Sequence, residues 1–151
     1  MALANDSEQA LNLEADNADI DDLKGISVYT GNVILTQGSM VIKSAKLTIH
    51  LDKNRDLEKA IASGSKNKLA KFKQRPEGKK TDFFARAETM IYYLQKDKIH
   101  LLKQAYINQN GDTFSGDKII YDTKKETVAA NTSKKSSNSR VRVTIQPKRK
   151  K

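Results

Sequence analysis

Apolar and polar residues alternate through most of this chain. Ala10-Leu11-Asn12-Leu13-Glu14 alternates, as do Ile26-Ser27-Val28, Leu47-Thr48-Ile49-His50-Leu51, Lys98-Ile99-His100-Leu101, Ala105-Tyr106-Ile107 and Val141-Arg142-Val143-Thr144-Ile145, with Val33-Ile34-Leu35-Thr36-Gln37 less clean. Period-two patterning with β-branched and aromatic residues predicts strands with one buried face. Turn residues fall between them at Lys24-Gly25, Gly31-Asn32, Gln37-Gly38-Ser39, Asp52-Lys53-Asn54, Asn110-Gly111-Asp112 and Asp122-Thr123-Lys124-Lys125. Strands at roughly 8–12-residue spacing predict an antiparallel sandwich, roll or barrel. Leu57-Glu58-Lys59-Ala60-Ile61-Ala62 reads differently, as a short helical turn built from helix formers. Pro76-Glu77-Gly78 reads as the tip of a basic hairpin loop spanning Lys66 to Lys80, and the Ser/Asn/Lys-rich stretch Asn131 to Ser139 as a flexible linker before the last strand.

A strand-like phrase recurs four times. The copies begin at Ala15-Asp16, Ser44-Ala45, Ala87-Glu88 and Gly116-Asp117, each with an apolar fourth position and Ile or Tyr at the sixth. Their spacings are 29, 43 and 29 residues, so the pattern returns after 72. Gly31-Asn32-Val33-Ile34-Leu35-Thr36-Gln37 keeps the same period against Lys103-Gln104-Ala105-Tyr106-Ile107-Asn108-Gln109. A fixed period means a structural unit built twice, whose copies stack to share one core.

Composition narrows this picture. The chain has 151 residues, enough for one domain with a sizeable core, but only 37% apolar and 6% aromatic residues. A thin, elongated or partly open structure follows. With no Cys there is no disulfide, thiol chemistry or Cys-ligated metal. No apolar run approaches the ~20 residues a membrane-spanning helix needs. Ala2-Leu3-Ala4 before Asn5-Asp6-Ser7 has the small-x-small form of a signal-peptidase site, one reading being an exported protein without its signal. The net charge is +10 and uneven: residues 1–25 hold seven acids against Lys24, and residues 132–151 hold eight bases and no acid. Opposite ends favour encounter of one subunit's head with another's tail, the alternative being two solvated termini.

Catalytic constellations are not evident. His50 and His100 sit at polar positions of alternating strands, away from metal-ligand spacing, and read as surface histidines. Gly-rich phosphate loops and GxSxG or HExxH motifs do not occur. Asp16, Glu88 and Asp117 share one repeat position, which explains their recurrence better than a carboxylate cluster does. The basic loop with Phe72, Phe83, Phe84, Tyr92 and Tyr93 leaves a nucleic-acid-binding β module as an alternative, although no module signature appears. A basic surface also suits a phosphorylated amphiphile.

The run Ala18 to Met40, with its Tyr29-Thr30-Gly31-Asn32-Val33-Ile34-Leu35-Thr36-Gln37-Gly38 core, resembles the OstA-like family of periplasmic lipopolysaccharide-transport bridge proteins. Ala87 to Tyr93, Leu101 to Gln109 and Phe114-Ser115-Gly116-Asp117-Lys118-Ile119-Ile120-Tyr121-Asp122 are similar to its middle and late strands, so the resemblance covers about residues 7–145. The chain departs from it at Asn67-Lys68-Leu69-Ala70-Lys71-Phe72, at Ala45 and in the basic tail.

The resemblance implies an all-β fold: an elongated, twisted β-jelly roll of about sixteen antiparallel strands, open at both ends. Residues 1–6 would be a signal-cleavage remnant and disordered start, 7–146 the roll and 147–151 a disordered basic tail. It implies a non-enzymatic periplasmic protein that needs no cofactor or metal. Its partners would be lipopolysaccharide through the lipid A acyl chains, further copies of itself stacked head to tail, and the inner- and outer-membrane components of the transport machinery, with no nucleic acid. Position by position, Leu11 and Leu13 match the family's inward-facing first strand, Phe72 its inward Phe and Leu94 its apolar residue after the middle Tyr, which marks all four as lipid contacts. Alternation adds Val33, Leu35, Ile42, Leu47, Ile49, Met90, Ile107, Phe114 and Ile119. Because transport needs weak retention, the empty interior is expected to be loosely filled.

Overall fold

The computed structural model describes residues 9–75, 78–79, 81–132 and 140–147. They form twelve strands: β1 (Asn12–Glu14), β2 (Asn17–Asp21), β3 (Ile26–Gln37), β4 (Met40–Leu51), β5 (Leu57–Ser63), β6 (Ala70–Gln74), β7 (Phe83–Ala87), β8 (Thr89–Tyr93), β9 (Lys98–Gln109), β10 (Asp112–Asp122), β11 (Thr127–Asn131) and β12 (Arg142–Thr144). A single 3-10 turn, Leu94–Lys96, joins β8 to β9. The loop tip at Pro76-Glu77, the 133–139 linker, the Ala2-Leu3-Ala4 signal and the tail after Pro147 lie outside the described residues.

Four strands change partners half-way along. β3 pairs first with β2 and then with β1. β4 pairs with β6 and then β5, β9 with β8 and then β7, and β10 with β12 and then β11. Each long strand therefore serves two sheets. Sheet one runs β2-β3-β4-β5-β8-β9-β10-β11, and sheet two runs β1-β3-β4-β6-β7-β9-β10-β12, antiparallel throughout. Counting the four bent strands once in each sheet gives sixteen strand segments, the number the resemblance implied. The fold is a β-jelly roll, hinged along one crease where the long strands cross from sheet to sheet.

The repeated phrases mark that crease. Ala15-Asp16 separates β1 from β2, Ala87-Glu88 ends β7 and leads into β8, and Ser44-Ala45 and Gly116-Asp117 fall at mid-β4 and mid-β10. Register shifts occur where β3 carries an extra residue between Thr30 and Val33 against β4, and where β9 carries one between Leu102 and Ala105 against Gly116 and Lys118 of β10, and each extra residue bends its strand. The crease turns at Gly31 (φ 86) and Asn32 (φ 48) in β3, and at Lys103 (φ 69) and Gln104 (φ 53) in β9. A Cβ on Gly31 would run into the Asp16 carboxyl. The 72-residue period is thus structural. β1–β6 form one unit and β7–β12 the second, joined where β5 pairs with β8 and β6 with β7.

Leu57–Ser63 is a strand, against the expectation of a helical turn. Its helix formers are overridden because β4 and β8 supply ladder partners on both sides. Ala60 and Ala62 face inward opposite the bulkier Tyr92 and Met90.

Side chains facing inward line up in rows across the strands. Sheet two carries Leu13-Leu35-Ile42-Phe72-Ala85-Ile107-Phe114-Val143, each residue opposite the next. Sheet one carries Ile20-Ser27-Ile49-Ala60-Tyr92-Ile99-Tyr121-Val128 and Ala18-Tyr29-Leu47-Ala62-Met90-Leu101-Ile119-Ala130. Between the sheets Phe72 stands edge-on to both Phe83 and Tyr92 (5.9 and 5.8 Å between centroids), and Phe83 stacks on Tyr121 at 4.4 Å. These rings tie sheet to sheet. The interior is close-packed at its centre, with Phe72 only 1% exposed. The expectation of a loose interior is therefore corrected: the alanines of β5 and β7 admit the aromatics, which fill the space.

A cleft between two sheets

The cleft is built from the alternation itself. Val33, Leu35, Ile42, Leu47, Ile49, Phe72, Met90, Ile107 and Ile119 are all in the buried cluster between the sheets. Leu11, Leu13 and Phe114 are half-buried and pack against it. Leu94 lies instead in the 3-10 turn at the rim, half-buried and outside that cluster.

Opposite the crease the two sheets form a mouth. Its lining includes Phe72, Phe83 and Ile99 below, with Gln74, Gln109 and Thr123 above them. The space left there is about 20 Å³, room for a single water. A clasp closes it: Gln109 Nε2 of sheet two donates to Tyr121 Oη of sheet one at 3.0 Å, beside the Phe83–Tyr121 stack. Burial pushes the Tyr121 phenol well above its ordinary range, with Glu126 and Asp122 adding to the effect, so the hydroxyl keeps its proton. Thr123 Oγ1 is buried there with no hydrogen-bond partner among the described residues. Polar groups thus ring an apolar cleft, the arrangement that suits an amphiphile with buried chains and a wet head.

Sequence reasoning missed the clasp. Gln74, Phe83, Gln109 and Tyr121 all sit at inward positions, but polar residues at such positions break the apolar pattern that marks a lining. The available signal was Gln109, which keeps the 72-residue period with Gln37.

Asp16 and Glu88 do not form a catalytic pair. Each holds a crease: Asn32 Nδ2 donates to Asp16 Oδ2 at 3.3 Å, and Gln104 Nε2 to Glu88 Oε2 at 3.0 Å. His100 packs edge-on to Tyr93 at 4.9 Å, and burial, then Lys118, Lys98 and Lys96, lowers its pKa. Among the described residues no three His, Asp or Glu side chains gather into a metal site.

The two unpaired margins differ from the rest of the surface. β1 and β2 close one end and β11 and β12 the other, each with one strand partner among the described residues. Large apolar side chains stand exposed there: Ile20 (67%) at the first margin, Val143 (49%) and Ile145 (68%) at the second.

Residues 12–127 match the family described as LptA/(LptD N-terminal domain) LPS transport protein. The chain belongs to this family. It is 36% identical to the lipopolysaccharide export system protein LptH of Pseudomonas aeruginosa over 99% of this chain and 86% of that protein. It is 29% identical to the lipopolysaccharide export system protein LptA of Escherichia coli K12, over 85% of this chain and 68% of that one. The fold is similar to the crystal structure of Pseudomonas LptH, with a TM-score of 0.84 at 34% identity, covering 95% of this chain and 99% of that one. That structure is described as the periplasmic component of a lipopolysaccharide transport device. The OstA-like resemblance of the sequence is borne out.

Proposed function

We propose that the chain is a non-enzymatic periplasmic bridge protein that carries lipopolysaccharide by its acyl chains and stacks head to tail. The observation that carries this reading is the set of inward apolar rows that run off both ends of the roll, from Ile20 and Leu13 to Val128 and Val143. Each acyl CH₂ moved out of water gains about 0.8 kcal/mol. Because side chains fill the centre of the cleft, chains enter by parting the sheets at the mouth, where the clasp is a single hydrogen bond and one ring stack. Leu11, Leu13 and Phe114, at the half-buried flanks of the rows, contact the chains where the rows run towards the ends of the roll.

The seam inside the chain is a template for the seam between chains. Within the chain, Phe72 of the first unit faces Ala85 of the second, and Ala60 faces Tyr92. Val143 occupies the place of Phe72, opposite Phe114 as Phe72 is opposite Ile42, and Leu13 corresponds to Ala85. A second copy docked in the same register sets its Leu13 against Val143 and its Ile20 against Val128. Exposed apolar residues are covered, and the free strand edges are paired by strand addition. A contact of this kind repeats without closing, giving filaments. Other components with the same two-sheet margin would be accepted at either end.

Co-elution of the purified chain with lipopolysaccharide at low and high salt, with single-stranded DNA as control, tests the reading. Salt-resistant lipid retention without DNA supports the cleft. Salt-sensitive retention of both places binding on the Lys/Arg surface and overturns it.

A further inference from the structure

The outer face of sheet two carries a feature that lipid carriage in the cleft does not use. Its outward row reads Glu14-Ile34-Lys43-Lys71-Arg86-Tyr106-Ser115-Arg142, each residue opposite the next. Lys43, Lys71 and Arg86 are thus direct cross-strand neighbours, an arrangement of like charges that destabilises a sheet. Near its end lies a shallow groove of about 430 Å³, whose lining includes Arg86, Arg140, Arg142, Gln104, Ser115 and Asp117.

Three observations give this groove its chemistry. The ion pairs among the described residues are Arg55–Asp22, Arg75–Asp82 and Lys98–Asp122, so none of the three groove arginines is held in one, and the lining sets these three cations against the single carboxylate of Asp117. The Arg86 guanidinium lies 4.2 Å from the Tyr106 ring centroid, which fixes its direction. The groove floor is the second crease, where Lys103 and Gln104 hold left-handed backbone that glycine and asparagine hold in the first unit. Strain kept where a less strained residue pair exists elsewhere in the chain marks a site worth explaining by binding.

We propose that this groove binds a phosphate monoester carried on a sugar. Guanidinium forks match the tetrahedral, doubly charged group, and the Ser115 hydroxyl and the Gln104 amide oxygen, whose NH2 group is held by Glu88 and Lys66, supply polar partners for sugar hydroxyls. Nucleic acid is disfavoured because the one aromatic face, Tyr106, is covered by Arg86 and meets Phe84 edge-on at 6.3 Å, leaving no platform for a base. Assigning the sugar phosphate to the glycan of the carried lipopolysaccharide rests on the reading above.

The test titrates the full chain with three acyl-free probes, followed by backbone amide NMR shifts. The probes are the phosphorylated oligosaccharide released from lipopolysaccharide, the same oligosaccharide after phosphatase treatment, and glucose 6-phosphate. Saturable shifts at Arg86, Ser115 and Gly116 with the first and not the second are expected. Arg142 also borders the subunit seam, so the variant is the double substitution Arg86→Gln/Arg140→Gln. It should weaken binding by about tenfold or more, while Lys59→Gln/Lys96→Gln, at the rim of sheet one, leaves it unchanged. Equal binding of the dephosphorylated glycan, an unaffected double variant, or tighter, steeply salt-dependent binding of single-stranded DNA overturns the proposal. Equal affinity for glucose 6-phosphate keeps the site and removes its assignment to the cargo. Lipid capture by the double variant, measured separately, reports on the cleft alone.

Discussion

Glu88 and Gln104 clasp each other across the second crease, and they repeat, one methylene longer on each side chain, the pair that Asp16 and Asn32 make 72 residues earlier. The backbone repeats with them. Asp16 N–H donates to Gly31 C=O and Glu88 N–H to Lys103 C=O, both at 2.9 Å. The two creases differ in who holds positive φ: Gly31 in the first, Lys103 in the second.

Opposite stability changes at these equivalent positions follow. Gly31→Ala forces a Cβ into the Asp16 carboxyl at φ 86 and should cost about 1–3 kcal/mol. Lys103→Gly relieves left-handed strain and should gain about 0.5–1 kcal/mol, net of the added freedom of the unfolded chain. Thermal melts should move down and up respectively, by about 2–4 °C per kcal/mol. Shifts of the same sign would mean the creases are not equivalent.

The clasp should govern entry. Tyr121→Phe keeps the ring stack and removes the Gln109 hydrogen bond, at a cost of about 1 kcal/mol. Lipid capture should become faster with the strands intact by circular dichroism. An unchanged rate would place entry elsewhere than the mouth.

The template seam sets Arg142 beside Glu14 of the next copy, because those two correspond to Lys71 and Arg86 of the internal seam. Either Arg142→Glu or Glu14→Arg should shorten oligomers seen by light scattering. Mixing the two variants should restore long oligomers, as filaments in which the two chains alternate, because each seam between unlike variants again sets Glu against Arg.

Removing residues 140–151 deletes β12, which pairs with β10 over three residues. The remaining chain should stay folded and lose its long oligomers. Light scattering that shows undiminished oligomers would place the contact outside this margin.

Acid should loosen the turn between β10 and β11. The Asp122 carboxylate accepts from Lys98 Nζ at 2.7 Å and from the Lys125 and Lys124 N–H groups, which hold its pKa down at about 2 against the ordinary 3.8. A depressed carboxylate stabilises the fold above its ordinary pKa, and that contribution is lost as the pH falls from about 4 to about 2. Melting temperature should fall across this window, and less steeply in Asp122→Asn.

Much of this was written into the alternation and the 72-residue period. Leu13, Leu35, Ile42 and Ile107 were legible as lining because strict period two places them on one face. Leu57–Ser63 was not, because its helix formers are overruled by neighbours that sequence spacing does not reveal. Nor was the packed centre, since whether alanines leave a void depends on which aromatics stand across from them. Phe72 shows the consequence. Read from sequence it is a lipid contact, but in the fold it is a keystone between sheets, and a charge there would unfold the chain before it reported on lipid. Leu13, at the flank, is the better position for that substitution.

The seam inside the chain and the proposed seam between chains would share one geometry but not one thermodynamics. A short tether gives the internal seam an effective concentration of about millimolar, so it is closed in every molecule. Its external counterpart closes only as supply allows. The length of a bridge is then a readout of how much of the protein is present, and a shortage would show itself as gaps in the conduit, with every subunit still folded.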